Sequence, residues 1–280
     1  MNLGFSIEEA VKTRYSTRTY TDQLISDELI DKINEYINTL SNPFSVKVNF
    51  KLLEANTSKN TEKLGTYGVI KGAKHYIGAT IENSELALEA LGYEFEKLIL
   101  YLTSLGLGTC WLGGTFNRNS FKNAFEVKET EIFPAISPLG YPSNKKRIAD
   151  SLVRMVAGSD HRKPWSDLFY NNNFTNLLSS NDAGAYAFPL EMIRLAPSAS
   201  NKQPWRIVKD GTTYHFYESQ AKGYSTSFGY DIQKVDIGIA ACHFQLAALE
   251  KDLKGEFKKL QTPTIDMPEQ IEYIFSWICA

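Results

Sequence analysis

The stretch from Val235 to Lys251 constrains this chain most, because its first four turns carry apolar residues on nearly every side. A helix of that composition is buried all round, so the fold must wrap a core about it. A second long helix is expected from Ser84 to about Leu105. The two can be laid over each other at an offset of 146, where Gly92 falls on Gly238, Leu98 on Phe244 and Leu100 on Leu246. The repeat is weak in residue identity and clear in the order of elements around it. An ordinary α/β domain without internal symmetry is the alternative at this point.

Those surrounding elements are marked by local signals. Ser6-Ile-Glu-Glu9 is a capping box for a short helix, and Ser26 caps a longer one with Asp27 and Glu28 in its first turn. Val46, Val48, Phe50 and Leu52 alternate with polar residues, as in a strand with one wet face. Lys74 to Glu82 reads as a second strand, and "EIFPAISPLGYP" as a buried strand leaving into a loop. Residues 171–184, rich in Asn and Ser, read as a linker. After it the pattern returns: a helix from about Pro189 to Leu195, a strand from Trp205, an Asp210-Gly211 hairpin turn into "YHFYE", the long helix, and a terminal strand "EYIFSWI".

Composition narrows the function mainly by exclusion. The formal net charge of −2 provides no global field for nucleic acid or acidic lipid. No apolar run reaches the roughly 18 residues of a membrane helix, and the first residues lack the apolar core of a signal peptide. Cys110, Cys242 and Cys279 lie far apart, which suits reduced thiols and a cytoplasmic setting better than a disulfide framework. GxGxxG, Walker, HExxH and GxSxG motifs are all missing. His75, His161, His215 and His243 show no metal-ligand spacing and read as surface or core residues.

Four stretches carry candidate chemistry. In "RYSTR", Arg14, Ser16 and Arg18 alternate, so on an extended backbone all three side chains point one way. Two guanidiniums and a hydroxyl suit a terminal phosphate; solvated arginines are the plainer alternative. In "GLGTCWLGG", Gly106 can end the preceding helix in a left-handed conformation, and Gly113-Gly114 can let backbone N–H groups approach a ligand; a tight connecting turn is the alternative. "NKKR", with Lys145 and Arg147, is a small basic cluster that on its own is a solvated turn. In "APSASNKQPW", Pro197 stops a helix and Ser198, Ser200 and Asn201 place short polar side chains on a bent loop.

Together these stretches resemble the FMN-dependent nitroreductase family, and more closely its single-chain branch. The resemblance implies an α+β nitroreductase-like fold of two half-domains with pseudo-twofold symmetry, their antiparallel or mixed sheets flanked by helices. In that family two subunits intertwine, and the Pro-Ser-x-x-Asn loop reaches the flavin from the partner subunit. Here that loop lies in the last third of the chain. The expected organisation is therefore two fused halves, 1–170 and 171–280, forming one globular unit and acting as a pseudo-dimer, with further oligomerisation open.

Carried over residue by residue, Arg14, Ser16 and Arg18 would grip phosphate and ribityl, and Lys145 and Arg147 would complete the phosphate site. Gly113 and Gly114 would approach the flavin ring, and Pro197, Ser198, Ala199, Ser200 and Asn201 would arrive from the other half. The equivalent places are changed: "LSNPFSV" stands where the first half would carry its own flavin loop, and "SDHRKPW" where the second would carry Arg-x-Ser-x-Arg. At the offset of 146, Gly106 and Gly108 fall on Asp252 and Lys254. One FMN per chain is expected. The implied reaction is ping-pong hydride transfer from NADH or NADPH through flavin N5 to a small-molecule acceptor such as a nitroaromatic or quinone, with no membrane or nucleic-acid partner. A non-enzymatic flavin carrier or redox sensor is the alternative from another class.

Overall fold

Two 18-residue helices, α3 (Ala87–Ser104) and α7 (Gln233–Glu250), form the centre of the molecule. The computed structural model describes residues 3–55, 64–143 and 161–280. The helices pack closely because each presents a glycine to the other's backbone. A Cβ on Gly92 would stand 2.1 Å from the Val235 carbonyl oxygen, and one on Gly238 would stand 1.9 Å from that of Glu89. The contact is reciprocal: each glycine meets the residue three positions before the other. Leu91, Phe95, Leu98 and Ile99 of α3 and Ile237, Ile239, Ala240 and Phe244 of α7 join one apolar core. Both helices are buried on nearly all sides, which the sequence pattern requires of α7 and which packing alone imposes on α3.

Each long helix follows an antiparallel hairpin. Ser26 accepts the Leu29 N–H and caps α2 (Asp27–Asn38), as Ser6 caps α1 (Ile7–Thr13). Beyond α2 come β1 (Val48–Glu54) and β2 (His75–Glu82), then α3. Gly106, at φ 76°, turns the chain out of α3 in the left-handed region. There follow β3 (Gly108–Thr109), α4 (Arg118–Phe125), β4 (Glu131–Ile132) and β5 (Ile136–Gly140). The first sheet runs β1-β2-β5-β3, with β4 on the far end of β2, and all its pairs are antiparallel.

The later part repeats much of this order. β6 (Phe169–Asn171) is followed by α5 (Ser180–Ala183) and α6 (Ala187–Leu195). Then come β7 (Trp205–Asp210) and β8 (Thr213–Ser219), joined at Gly211, and then α7, β9 (Gly255–Lys258) and β10 (Ile271–Cys279). This sheet runs β6-β7-β8-β10-β9, with β6 parallel to β7 and the other pairs antiparallel. Residues 171–184, read as a linker, hold the end of β6 and α5.

One strand departs from its expected pattern. Residues 48–53 of β1 are half-buried throughout, not alternately wet and dry. Val48, Phe50 and Leu52 face the central core, while on the other side Asn49 reaches the Glu131 carboxylate and Lys51 reaches Glu126 and the Phe125 carbonyl. The end of α4 and the strand after it thus cover the face expected to be wet. Among the described residues no helix is long and apolar enough to cross a membrane, and none of the three cysteines is in a disulfide.

Candidate functional site

The arm after α1 is threaded into the first sheet by its backbone. Ser16 bridges Thr109 in parallel, with Thr17 N–H donating to the Thr109 carbonyl at 2.8 Å. Further on, Lys71 N–H donates to the Arg18 carbonyl and Tyr20 N–H to the Lys71 carbonyl, each at 2.9 Å. This fixes "RYSTR" beside the strand that leads into Gly113 and Gly114. Thr17 faces inward, against the backbone of Gly108.

The two arginines of the arm are used differently. Arg18 Nη1 lies 3.5 Å from the Ser16 carbonyl, and its Nε is buried with no hydrogen-bond partner among the described residues. Arg14 turns into the interior, its Nε 3.9 Å from Glu96 Oε1. Neither Gly113 nor Gly114 has a positive φ. A Cβ at either would meet only Ile232 at 3.8 Å or Phe228 at 3.6 Å, so packing against protein does not require a glycine there. Arg118 at the start of α4 holds this loop, donating to the carbonyls of Gly113 and Phe133. Lys145 and Arg147 lie outside the described residues.

The loop after α6 is strongly bent. Ser200 and Asn201 adopt left-handed backbones at φ 49° and 53°, and Gln203 follows at 48°. Such conformations cost energy for residues with a Cβ, persist only where surroundings enforce them, and cluster at binding sites. The enforcing contacts are specific. Ser198 Oγ accepts the Gln203 N–H at 2.8 Å. Ala199 N–H donates to Asp236 Oδ1 at 3.0 Å. The Asn201 amide donates to the His161 carbonyl at 2.8 Å and accepts from Arg162 at 3.3 Å and Gln203 at 3.2 Å. Arg162 also donates to the Leu195 carbonyl, clamping the end of α6. Asn201 is therefore a strut of the loop, and "SDHRKPW" contributes that clamp through His161 and Arg162.

Residues 220–232 connect the loop to the first sheet. Tyr224 donates its hydroxyl proton to Ser200 Oγ at 2.9 Å, while Phe228 and Ile232 lie over Gly114 and Gly113. Asp231 closes the segment by accepting from Ser225 at 2.6 Å and from Gln233 N–H at 3.1 Å. Asp236, in the first turn of α7, is buried and its Oδ2 has no hydrogen-bond partner among the described residues. Burial, reinforced by the nearby Asp231 carboxylate and opposed by the Ala199 N–H, raises its pKa to about 8. It is thus largely protonated at neutral pH, with a proton to donate.

The residues that sequence reasoning missed are Glu96, Trp111, Arg118, Arg162, Tyr224 and Asp236. A signal existed for one: Asp236 is a carboxylate at the start of a helical run expected to be apolar on nearly every side, where burial needs a partner, whereas Glu96 is masked by Glu94 and Lys97 beside it. Trp111, Arg118, Arg162 and Tyr224 carry no such mark.

Among the described residues, Arg18 Nε on the arm and Asp236 Oδ2 behind the bent loop are buried polar atoms without a hydrogen-bond partner, as expected where a ligand group would pair with them. Comparisons with known proteins identify the family and the fold. Residues 6–248 match the model of the family described as "Putative TM nitroreductase". A candidate nitroreductase from Thermotoga maritima MSB8 shares the fold over 98% of this chain and 94% of its own, at 23% identity and TM-score 0.61. A nitroreductase family protein from Clostridium difficile 630 aligns with 60% of this chain and 96% of its own, at 18% identity and TM-score 0.43. A candidate nitroreductase from Desulfovibrio desulfuricans, solved with FMN, aligns with 52% of this chain and 95% of its own, at 22% identity and TM-score 0.40. Among curated protein sequences no match is found. With the family model covering most of its length, the chain belongs to this nitroreductase family and is an oxidoreductase of the α+β nitroreductase fold.

Proposed function

We propose that the protein binds one FMN per chain and uses it to pass electrons from NADH or NADPH to electron-poor acceptors such as nitroaromatics or quinones. The observation that carries the reading is the arm: Ser16 is bridged to the strand leading to Gly113-Gly114, and Arg18 keeps a buried Nε without a partner. A phosphate would satisfy that donor with a charge-assisted bond. Ser16, whose hydroxyl makes no hydrogen bond among the described residues, would share the phosphate or ribityl, with Lys145 and Arg147 completing the set.

Gly113 and Gly114 would leave room for the ring. Ser198 and Ser200 each accept one hydrogen bond and still have a hydroxyl proton to give, so they would donate to the ligand from the opposite side. Pro197 and Ala199 shape the loop, and Asn201 holds it. Bound here, FMN would supply hydride acceptance and release, while the protein provides position, exclusion of water and donors for developing charge.

The same reading includes two fused nitroreductase-like halves, divided near residue 170. It is supported by two long helices of equal length, by the reciprocal approach of Gly92 and Gly238, and by the matching orders β1-β2-β5-β3 and β7-β8-β10-β9. The test is the absorbance of the purified protein in the flavin bands before and after anaerobic NADH or NADPH. A yellow protein with up to one FMN per chain, bleached by a nicotinamide, is expected. Two flavins per chain refute the fused-half arrangement, and a flavin that neither nicotinamide reduces refutes the catalytic role.

A further inference from the structure

Glu96 is fully buried midway along α3. A carboxylate withdrawn from water is costly unless it is paired and hydrogen-bonded. Oε2 accepts the Trp111 indole N–H at 2.7 Å, and Oε1 faces His243 Nε2 at 2.9 Å. Arg14 Nε approaches the same Oε1 at 3.9 Å. On its other side His243 Nδ1 faces the Met192 carbonyl at 2.9 Å. A carbonyl only accepts, so Nδ1 carries a proton, and the Nε2–Oε1 contact carries one more.

Three segments meet at this carboxylate, and a fourth is linked to it through His243. Arg14 ends α1 and begins the arm. Trp111 stands two residues before Gly113. His243 lies on α7, and through Met192 it reaches α6, which ends two residues before Pro197. A buried ion pair is weak ground for stability, since apolar replacements often serve as well. Its distinguishing property here is that one side chain touches the start of the arm and the start of the glycine loop, and through His243 reaches the helix before the bent loop.

We propose that Glu96 is a positioning residue for flavin: it turns Arg14 inward, holds the Trp111 end of the glycine loop, and through His243 sets the helix that carries the Pro197–Asn201 loop. The inference rests on the flavin reading above and divides the arm, leaving Arg18 for the phosphate and giving Arg14 to the frame.

The test uses full-length apoprotein titrated with FMN and with riboflavin, which lacks the phosphate, and reads binding by quenching of flavin fluorescence. Glu96→Gln keeps the size of the side chain but puts an NH2 where an acceptor is needed. It should weaken both flavins by the same factor, about tenfold, and Arg14→Gln should show the same pattern. Arg18→Ala should weaken FMN alone and so lower the FMN-to-riboflavin preference. If Glu96→Gln fails to fold, Trp111→Phe removes one hydrogen bond and keeps an aromatic ring, and an equal but smaller loss for both flavins is expected. Unchanged flavin affinity in Glu96→Gln or Trp111→Phe, even with lower stability in urea, makes the network merely structural and overturns the proposal. So does an Arg14→Gln variant that loses FMN preference as Arg18→Ala does. Wild-type protein that takes up neither flavin removes the flavin reading itself, and this inference with it.

Discussion

The connection from β2 to α3 is only residues 83–86, whereas the one from β8 to α7 runs over residues 220–232. After the helices the asymmetry reverses: the path from α3 to β5 carries Gly113, Gly114 and α4, while that from α7 to β10 holds only β9. The loops before the two hairpins differ as well. Between α6 and β7 the chain bends through Ser198, Ser200 and Asn201. Between α2 and β1 it carries Phe44, whose ring packs 4.9 Å from Phe275, 6.0 Å from Phe257 and 6.3 Å from Tyr93. Asn42 beside it is tied to the Val46 carbonyl and to Glu94. Similar frames thus carry different connections. The glycine loop, residues 220–232 and the bent loop converge, whereas the loop at 39–47 is filled with its own aromatic side chain.

The equivalence of the frames can be broken at the helix crossing. Gly92→Ala and Gly238→Ala each drive a Cβ into the partner helix's backbone, and each should cost at least about 3 kcal/mol in urea unfolding, the upper range for overpacking. The two losses should be similar; one tolerated substitution would end the equivalence. The difference between the loops is tested next. Phe44→Ala should cost about 2–3 kcal/mol of stability, below the full-core value because Phe44 is half-buried, and should leave FMN affinity unchanged. A loss of FMN affinity there would place ligand on the wrong side.

Arg18→Ala should weaken FMN by about 10–150-fold, or roughly 1.5–3 kcal/mol, with little effect on unfolding. The helix starts offer a subtler contrast, because Asp236 corresponds in the offset to Ala90. With its folded pKa raised to about 8 and an unfolded carboxylate near 3.9, Asp236 binds more protons folded than unfolded. Its contribution is fully present below about pH 4 and is lost as pH rises through about 8. Asp236→Asn keeps an acceptor for Ala199 and cannot ionise. Because desolvation of the amide is the same at every pH, its stability relative to wild type should be higher at pH 7 than near pH 4 by roughly 2–4 kcal/mol, the linkage of the raised carboxyl. A pH-independent difference would show that Asp236 does not titrate in the folded state.

The smallest effect is expected at Asn201. Asn201→Ala should weaken FMN by roughly 0.5–1.5 kcal/mol, acting through the clamp to His161 and Arg162. Mixing full-length Arg18→Ala and Asn201→Ala chains should restore nothing if each site is built within one chain. Recovery of tight FMN binding after re-equilibration would mean that a second chain completes the site.

What could be read from the residues was mostly local. Ser6, Ser26, Gly106 and Asp210-Gly211 mark their own helix ends and hairpin, because a cap or a turn is decided within a few positions. The glycines at 92 and 238, laid over each other by the offset, are the helix crossing itself. The short helix Arg118–Phe125 was legible in principle, since Asn117 accepts the Ser120 N–H as an N-cap and Phe121 and Phe125 are buried one turn apart, but eight residues give only that single apolar repeat. Residues 220–232 have no period at all, and their place depends on what they cover.

The sequence by itself determined the two long helices, the burial of the second, the order of elements around them and the stretches that resemble a flavin site, because helical spacing, capping and turn chemistry act between near neighbours. Tertiary structure alone decided which side chains those stretches would leave for a ligand. Arg14 and Arg18 look interchangeable in "RYSTR", yet one is drawn to Glu96 and the other keeps an unmatched donor. Glu96 finds Trp111 at a separation of 15 residues and His243 at 147. Such pairings are imposed by the cost of burying charge, and that cost arises only once folding has excluded water from both partners.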